Sequence, residues 1–221
     1  MIQAIIFDFD GTILDTERHD YGCWVEIYQA HEVELPLATW SNVVGTVTDD
    51  FDPHHLLETL TGRPFDRAEV RAQRRRRLIE LVEQEPIRPG VQMLIETAHA
   101  AGLRLGVASS GTRDWVEGHL VARGLRGYFE VVRTIEDVKQ AKPDPELYLL
   151  ALAALGVAPE NALAIEDSRH GMMAAKAAGM KCLVVPNEIT QAFDFSEADL
   201  VLESLADVDL ACLLAPGALH P

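Results

Sequence analysis

Short apolar runs that alternate with segments of helical spacing constrain the fold of this 221-residue chain more than any other feature. Such runs are typical of strands that are buried on both faces, as the strands of parallel sheets usually are. The alternation therefore predicts an α/β fold, with a parallel sheet flanked by helices. The predicted strands span residues 2–9, 103–108, 128–132, 162–165 and 182–185. The predicted helices span residues 91–101, 115–123, 145–155 and 171–178.

The stretch 17–85 departs from this alternation, because it has almost no strand-like run and shows amphipathic helical spacing. Leu56, Leu57 and Leu60 are one example of this spacing. Pro86 and Pro89 punctuate the end of the stretch, where the chain would return to the sheet. The sequence thus predicts an α/β core domain made of residues 1–16 and 86–221, with residues 17–85 as a helical insertion.

Composition narrows the possible partners and compartments. The 35 acidic and 19 basic residues give a net charge of −16, which repels polyanions and argues against nucleic-acid binding. The chain has three cysteines that are far apart in the sequence: Cys23, Cys182 and Cys212. Their number and spacing argue against a disulfide framework and against a zinc site. We therefore expect a reducing, cytoplasmic location. The N-terminal segment has no basic flank, and the longest apolar run, 147–158, is shorter than the roughly 20 residues that span a bilayer. We therefore expect neither export nor membrane insertion, and whether the chain is a monomer or a dimer stays open.

The strongest chemical signal is the segment from Asp8 to Thr12, with the sequence DFDGT, at the end of the first predicted strand. Asp is depleted in strands, and two nearby carboxylates repel each other unless a cation intervenes or one of them holds a proton. Asp8 and Asp10 alternate with Phe9, so their side chains start out on the same side of the strand. Ligands of open α/β sheets bind at the carboxyl ends of the strands. The pair therefore predicts a divalent cation, most plausibly Mg²⁺, although two aspartates that cap a turn are the alternative.

Three further positions follow predicted strands or begin helices. Glu166 and Asp167 follow the strand at 162–165 and offer oxygen ligands to the same cation, although acidic residues at a helix start are common without one. Lys142 lies in a proline-rich loop, where its ammonium would balance the carboxylates and hold a phosphate, unless it is a solvated loop lysine. Ser109 and Ser110 occupy a strand-to-helix turn whose hydroxyl and amide groups can converge on an anion.

These four segments together resemble the haloacid dehalogenase (HAD) superfamily of phosphohydrolases, in particular its β-phosphoglucomutase-like phosphatase branch. DFDGTILDT at residues 8–16 is similar to the first motif of the family, Ser109 to the second and Lys142 to the third. Glu166 and Asp167, within IEDSRHGMMAAKAAGM at residues 165–180, are similar to the fourth. The resemblance covers nearly the whole chain and implies a Rossmann-like core with an α-helical cap domain inserted after the first strand.

The resemblance also implies a Mg²⁺-dependent hydrolysis of a small phosphorylated metabolite, with sugar phosphates as one candidate class. Asp8 would be the nucleophile that forms an aspartyl-phosphate, and Asp10 the general acid and base. Lys142, Ser109 and the amides of Phe9 and Ser110 would hold the phosphoryl group. The ion would be bound by Asp8, the backbone carbonyl of Asp10, Asp167 and, directly or through water, Glu166.

The insertion differs from the pattern of the mutases in this branch, which usually carry an arginine in the cap shortly after a glycine. Gly45 is instead followed by TVTDD, and Asp20 stands where the mutases usually carry a histidine, with His19 beside it. This difference favours a hydrolase over a sugar phosphomutase. The candidate specificity residues are Thr16, His19, Asp20, Gly45, Thr48 and Arg75.

Two alternatives remain at this point. Arg75 belongs to a basic run, Arg74 to Arg77, whose ordinary interpretation is a solvated helix, although one of its arginines could face the site and bind the far end of a substrate. A phospho-accepting receiver domain also combines clustered aspartates, Mg²⁺ and a lysine on a parallel sheet. A receiver has no need of a helical insertion, whereas an enzyme that acts repeatedly on a small molecule uses such a segment to exclude solvent.

Overall fold

The computed structural model describes residues 1–40, 51–206 and 208–215. The strands are β1 (Ala4–Phe7), β2 (Arg104–Ala108), β3 (Val131–Arg133), β4 (Ala162–Glu166), β5 (Lys181–Val184) and β6 (Leu200–Val201). The helices are α1 (Thr16–Ala30), α2 (Leu37–Trp40), α3 (Pro53–Thr61), α4 (Arg67–Glu83), α5 (Val91–Ala100), α6 (Arg113–Ala122), α7 (Glu146–Leu155), α8 (Arg169–Ala177) and α9 (Leu210–Leu213).

A single parallel sheet organises the chain, with the strand order β3-β2-β1-β4-β5-β6. The first strand lies inside the sheet, where Ile6 pairs with Gly106 of β2 on one side and Ala164 of β4 on the other. All four residues of β1 are buried, which explains why the strand reads as an unbroken apolar run. The predicted α/β fold is therefore confirmed, and the carboxyl ends of β1, β2 and β4 meet at one edge.

Side chains of β1 alternate between two apolar layers, one on each face of the sheet. Ile5 and Phe7 belong to one layer, which includes residues of α5 and α6. Ala4 and Ile6 belong to the other, which includes residues of α7 and α8. The small side chains on the second face allow these two helices to pack closely, so the position of each strand end is fixed from both sides.

Two strand predictions need correction. Residues 126–128 form a 3₁₀ turn rather than the start of a strand, because Tyr128 N–H donates to the Leu125 carbonyl at 3.1 Å, and β3 begins only at Val131. The two-residue strand β6 was not predicted, since a run this short carries no measurable alternation. Helix α8 begins two residues before the predicted start, with Ser168 accepting a hydrogen bond from Gly171 N–H at 3.0 Å as an N-cap.

Helices α1 to α4, which we call the cap region, pack around a third apolar cluster. Trp24 and Tyr28 of α1 lie in this cluster with Trp40 and Leu57, so that Trp24 is a core residue as well as a cavity wall. The helical character of the insertion matches the sequence analysis, while its boundaries at 17 and 85 remain a prediction. No helix among the described residues is long and apolar enough to cross a membrane.

The two connections between the cap region and the sheet lie beside each other. Glu85, just beyond α4, accepts hydrogen bonds from Arg18 at 3.0 Å and contacts His19 Nε2 at 2.5 Å. Arg123 of the core donates to the carbonyls of Val82 and Glu85 at 2.6 and 3.0 Å. Polar contacts therefore hold the segment where the chain enters the cap region next to the segment where it leaves.

Candidate active site

Asp8 follows β1 directly and is buried at the carboxyl edge of the sheet. Its backbone N–H donates to the Ile165 carbonyl at 2.9 Å, which extends the pairing of β1 with β4 by one residue. The Lys142 ammonium donates to Asp8 Oδ1 at 2.6 Å. Burial raises the pKa of Asp8 to about 7, against the opposing effect of Lys142. The position thus combines a carboxylate poorly accessible to water with a fixed positive charge.

A cluster of three buried carboxylates surrounds this point. Oxygens of Asp8, Glu166 and Asp167 lie within 4.8 Å of one another. Lys142 also donates to Glu166 Oε1 at 2.7 Å, and the negative charges of Asp8 and Glu166 raise the pKa of Lys142 even though burial opposes its charge. Burial, followed by the charges of Asp8 and Glu166, raises the pKa of Asp167 well above its ordinary value. The shift of Lys142 reflects its attraction to the carboxylates, and the shift of Asp167 reflects burial together with repulsion between the carboxylates.

These residues fit a divalent cation. When all three carboxyl groups are ionised, they exceed the charge of the one ammonium that contacts them by two negative charges. Asp8 Oδ2 is buried and accepts no hydrogen bond from the part of the chain that the structure describes. A hard cation with oxygen ligands, such as Mg²⁺, would satisfy both the charge and this oxygen.

Neighbouring side chains hold the acidic cluster in place. Asn187 donates to Asp167 Oδ2 at 2.7 Å, and Thr12 donates to Asp167 Oδ1 at 3.2 Å. Tyr148 donates to Glu166 Oε1 at 2.5 Å. Sequence analysis missed Asn187 and Tyr148, because an isolated amide or phenol carries no pattern that separates an orienting group from any other buried polar residue. Groups of this kind fix the direction in which a ligating oxygen points.

Close packing of the DFDGT loop against the second acidic pair explains Gly11. Its φ is +83°, and a Cβ atom there would collide with the Asp167 carboxylate. A glycine is therefore needed both for the backbone conformation and for the approach of the loop to the cluster.

Asp10 lies beside this cluster rather than in it. Its Oδ1 accepts hydrogen bonds from Thr16 Oγ1 and from the Trp115 indole, both at 2.8 Å. Burial raises the pKa of Asp10 above its ordinary value, with the hydrogen bonds from Trp115 and Thr16 acting in the opposite direction. The carboxyl group of Asp10 is not among the clustered ligand atoms, so the predicted contribution of Asp10 to the metal site would have to come from its backbone carbonyl. The two aspartates therefore occupy different environments.

The turn after β2 offers groups that can bind an anion. Ser109 is fully buried, and its Oγ accepts the Gly111 N–H at 2.9 Å and lies 3.5 Å from Asp10 Oδ2. The buried Ser110 Oγ has no hydrogen-bond partner among the described residues. The Phe9 side chain packs in the apolar core, so only its backbone amide is left for the predicted role. An oxyanion placed in this turn would satisfy the Ser110 hydroxyl.

A cavity of about 570 Å³ joins these groups to the cap region. Its lining includes Asp8, Asp10, Thr16, Ser109 and Ser110 from the predicted site. From the cap region it includes Glu17, Asp20, Trp24, Trp40, Phe51, His54, Arg71, Arg74 and Arg75. The volume suits a small metabolite and is near the middle of the range for ligand pockets.

The cap residues predicted to select the substrate fall into three groups. Asp20 and Arg75 line the cavity, where Asp20 forms an ion pair with Arg74. His19 does not line it and instead contacts Glu85 between the two connections. Gly45 and Thr48, with the TVTDD segment that follows Gly45, lie outside the described residues.

The basic run on α4 does not form a uniformly solvated helix. Arg71, Arg74 and Arg75 line the cavity, while Arg76 and Arg77 pair with Glu69 and Glu26 outside it. The interpretation of the run as a solvated face is therefore wrong for its cavity side. Helical periodicity alone could not have identified that side, because consecutive arginines occupy most of the circumference.

Glu17 is a cavity residue that the sequence did not single out. Burial raises its pKa well above the ordinary value, and the charges of Asp167, Asp20 and Asp10 act in the same direction. Burial is thus the main cause of this shift, and the carboxylates that the fold brings to one end of the cavity add to it.

The fold and this site define a class of phosphate-ester hydrolase. Residues 2–179 match the model of the haloacid dehalogenase-like hydrolase family, and the chain belongs to that family. Its fold is shared with β-phosphoglucomutase, and the chain is a phosphoric monoester hydrolase. The resemblance drawn from the four motifs is thereby confirmed, and membership in this family argues against the receiver hypothesis.

Relatives align over nearly the full chain. YhcW of Bacillus subtilis (strain 168) is 48% identical over 214 residues, which are 97% of each chain. Hexitol phosphatase B of Escherichia coli (strain K12) is 33% identical over 221 residues, which are 96% of this chain and 97% of the relative. A solved structure of a CbbY variant from Rhodobacter sphaeroides, in complex with xylulose-(1,5)bisphosphate, is 31% identical, has a TM-score of 0.77 and covers both chains fully.

Proposed function

We propose that the protein is a Mg²⁺-dependent phosphatase that transfers the phosphoryl group of a small metabolite to Asp8 and then to water. The observation that supports this proposal most strongly is the buried cluster in which Lys142 bridges Asp8 and Glu166 and Asp167 completes three carboxylates. A purely structural ion-pair network would leave no reason for a buried Asp8 oxygen without a hydrogen-bond partner among the described residues.

The cation site would be formed by Asp8, Asp167 and Glu166, with the backbone carbonyl of Asp10. When bound, Mg²⁺ would neutralise charge on the phosphoryl oxygens and favour the ionised form of Asp8. Lys142 adds a second positive charge on the same side and keeps Asp8 Oδ1 in a fixed direction. Ser109, Ser110 and the Phe9 amide would bind the remaining phosphoryl oxygens.

In the first step, an Asp8 oxygen attacks phosphorus and forms a new P–O bond, while the bond to the leaving oxygen breaks. Asp10, protonated on arrival, gives its proton to that leaving oxygen, so the alcohol departs neutral. In the second step, Asp10 accepts a proton from water as the water oxygen bonds to phosphorus and the P–O bond to Asp8 breaks. Inorganic phosphate leaves, and both carboxyl groups return to their starting forms.

Asp10 is suited to this exchange by its surroundings. Burial favours its protonated form, and Thr16 and Trp115 still stabilise the carboxylate that remains after the proton has left. Burial raises the pKa of Asp8 as well, but the Lys142 ammonium opposes that rise, and a bound Mg²⁺ would oppose it further. Two carboxyl groups whose environments differ in this way can act as base and nucleophile without competing for one proton.

The cavity favours a phosphorylated sugar or polyol whose far end carries a second anionic group. Arg71 and Arg75 line the cavity, and neither guanidinium has a carboxylate within ion-pair distance in the described part of the chain. Glu17 and Asp20, which also line the cavity, offer carboxyl oxygens to the hydroxyl groups of such a substrate. The relatives include a hexitol phosphatase and a protein solved with a sugar bisphosphate, which agrees with this choice. We place the reaction in the reducing cytoplasm, where the thiols of Cys23 and Cys182 stay unpaired.

Release of inorganic phosphate from a panel of sugar, polyol and acidic monophosphates, with Mg²⁺ present, tests the proposal. Asp8→Asn should abolish turnover, whereas Asp194→Asn, at an exposed aspartate outside the cavity, should keep it. Full activity of Asp8→Asn would reject the nucleophile. An isomeric phosphosugar that appears before free phosphate would favour a sugar phosphomutase, and a long-lived acyl phosphate without turnover would favour a receiver.

The second anionic group is tested separately. Arg71→Gln should raise KM for substrates with an anionic far end by roughly 10-fold, the loss expected for one charge-assisted hydrogen bond. It should leave KM for substrates with a neutral far end unchanged. Arg76→Gln is the matched control, because Arg76 is on the same helix but pairs with Glu69 outside the cavity. An equal effect of Arg71→Gln on both groups of substrates would contradict the assignment.

A further inference from the structure

Trp115 of α6 contacts the general acid and base directly. Its indole N–H donates to Asp10 Oδ1 at 2.8 Å, and Thr16 Oγ1 donates to the same oxygen at the same distance. Trp115 belongs to the core cluster and also lines the cavity. The indole therefore reaches the reacting end of the cavity from a rigid helix.

Two donors on one oxygen determine where the proton of Asp10 can be. A carboxyl oxygen has two lone pairs, and both lone pairs of Oδ1 are used by Trp115 and Thr16. The transferred proton must then be on Oδ2. That oxygen faces the phosphate-binding turn, 3.5 Å from Ser109 Oγ and next to Gly111, where an added Cβ atom would come within 2.8 Å of it. The arrangement thus points the proton towards the turn that would hold the phosphoryl group.

The indole is itself held from the cap region. The Arg75 guanidinium lies over the Trp115 ring, 4.9 Å from its centroid. His119 of the same helix packs edge-on against the ring at 4.2 Å. Burial lowers the pKa of His119 to about 4, so His119 is neutral near pH 7 and the guanidinium is the cation against the indole. A cation over an indole face is attracted to it and restricts its position.

We propose that Trp115 is a positioning residue that fixes Asp10 with Oδ2 as the proton-carrying oxygen, and that Arg75 couples this arrangement to the cap region. The proposal rests on the proposed function, since it assumes that Asp10 protonates the leaving oxygen. Without the Arg75 guanidinium, the indole would lose one of its restraints, and Asp10 would be held less firmly in the orientation that protonates the leaving oxygen.

A series of aryl phosphates whose leaving phenols differ in acidity tests the role of Trp115. These esters carry no second anionic group, so an effect on them cannot come from binding a distal charge. Trp115→Phe keeps a ring for Arg75 but removes the N–H. It should lower kcat/KM by roughly 10-fold for the least acidic phenol, the loss expected for one hydrogen bond to a carboxyl group. It should change kcat/KM little for the most acidic phenol, which leaves without protonation.

A steeper dependence on leaving-group acidity is a signature that a merely structural loss would not produce. Circular dichroism and thermal unfolding would establish that Trp115→Phe is folded. The same dependence on leaving-group acidity in Trp115→Phe and the native protein would overturn the role of Trp115.

Arg75→Gln provides an independent test, because this exposed side chain can be changed without disturbing the core. Arg75→Gln should make kcat/KM depend more steeply on leaving-group acidity, as Trp115→Phe does. It should lower kcat/KM for the least acidic phenol several-fold. Arg76→Gln on the same helix should have no effect. In the Trp115→Phe background, Arg75→Gln should add nothing further, because the N–H through which it acts is gone. Additive effects of the two substitutions would overturn the coupling.

The two levels of the proposal fail in different ways. If Asp8→Asn keeps its activity, the proposed reaction itself is wrong. If Asp8→Asn is inactive and Trp115→Phe changes all the esters equally, the reaction stands and the positioning role is wrong.

Discussion

Lys142 is the side chain whose removal should affect both stability and chemistry most. Its ammonium is almost completely buried, donates at 2.6 and 2.7 Å to Asp8 and Glu166, and lies 4.9 Å from the centre of the Tyr148 ring. Lys142→Met keeps most of the side-chain volume and leaves the carboxylates without their ammonium. Loss of one partner from a buried ion pair lowers stability by about 3–5 kcal/mol. That is a large share of the 5–15 kcal/mol of a typical domain.

Urea denaturation in the presence of EDTA measures this loss directly. The free energy of unfolding of Lys142→Met should fall by about 3–5 kcal/mol. At about 2–4 °C per kcal/mol for a chain of this size, the melting temperature should fall by roughly 10 °C. Lys139→Met is the matched control, because Lys139 is exposed and lies three positions earlier in the same loop. Its effect should stay within about 0.5 kcal/mol.

Titration with Mg²⁺ then separates the electrostatic explanation from a loss of packing. Without the ammonium of Lys142, the three carboxylates carry more uncompensated charge, so Mg²⁺ should raise the stability of Lys142→Met more than that of the native protein. Equal losses for Lys142→Met and Lys139→Met would refute the reasoning. An equal response of the native protein and Lys142→Met to Mg²⁺ would refute its electrostatic part.

Three further outcomes are expected. Gly171→Ala should reduce both stability and turnover, because the new Cβ atom would collide with the Glu166 carboxylate. Gly118→Ala in α6 is the control, because the new Cβ atom would have no neighbour within 4 Å outside its own helix. In denaturation experiments, Gly118→Ala should stabilise the protein by about 0.5–1 kcal/mol. The pKa of His119 is lowered to about 4 by burial, so between this value and about 6.5 the unfolded chain binds more protons and stability falls as pH falls. Between pH 7 and pH 5, His119→Phe should therefore lose about 2 kcal/mol less stability than the native protein. Equal losses for the variant and the native protein would contradict this cause. EDTA should stop phosphate release and Mg²⁺ should restore it, whereas activity that persists in EDTA would contradict the cation site.

Local sequence was sufficient to predict five of the six strands and the polar residues at the edge they share. Asp8, Ser109 and Glu166 lie at or just beyond the ends of strands β1, β2 and β4, and the predicted strand ends differ from the observed ends by at most two residues. Parallel strands that are buried on both faces have few polar residues, so a polar residue at the end of a run is informative. The spacing of the strand ends then brings these side chains together without further information.

Contacts between the cap region and the core could not be predicted in the same way. Trp115 reads as an apolar residue at the start of a helix, and nothing in its neighbours shows that its N–H reaches Asp10. The way in which α4 packs against α1 and the core cluster decides that Arg71, Arg74 and Arg75 face the cavity. Periodicity identifies a helix and its faces, but the partner of each face depends on residues far away in the sequence.

Two opposing fields bear on the size of the substrate. The net charge of −16 repels anions at long range, but in physiological salt this repulsion decays within about 8 Å. Inside the cavity, Arg71 and Arg75 act on an anion at shorter distances and in surroundings less polar than water. A small dianion needs to overcome the long-range repulsion only while it enters, and it then contacts the arginines of the cavity. The further phosphates of a polyanion would stay outside the cavity, where the net negative charge repels them. The same charge distribution therefore favours small phosphate esters over nucleic acids.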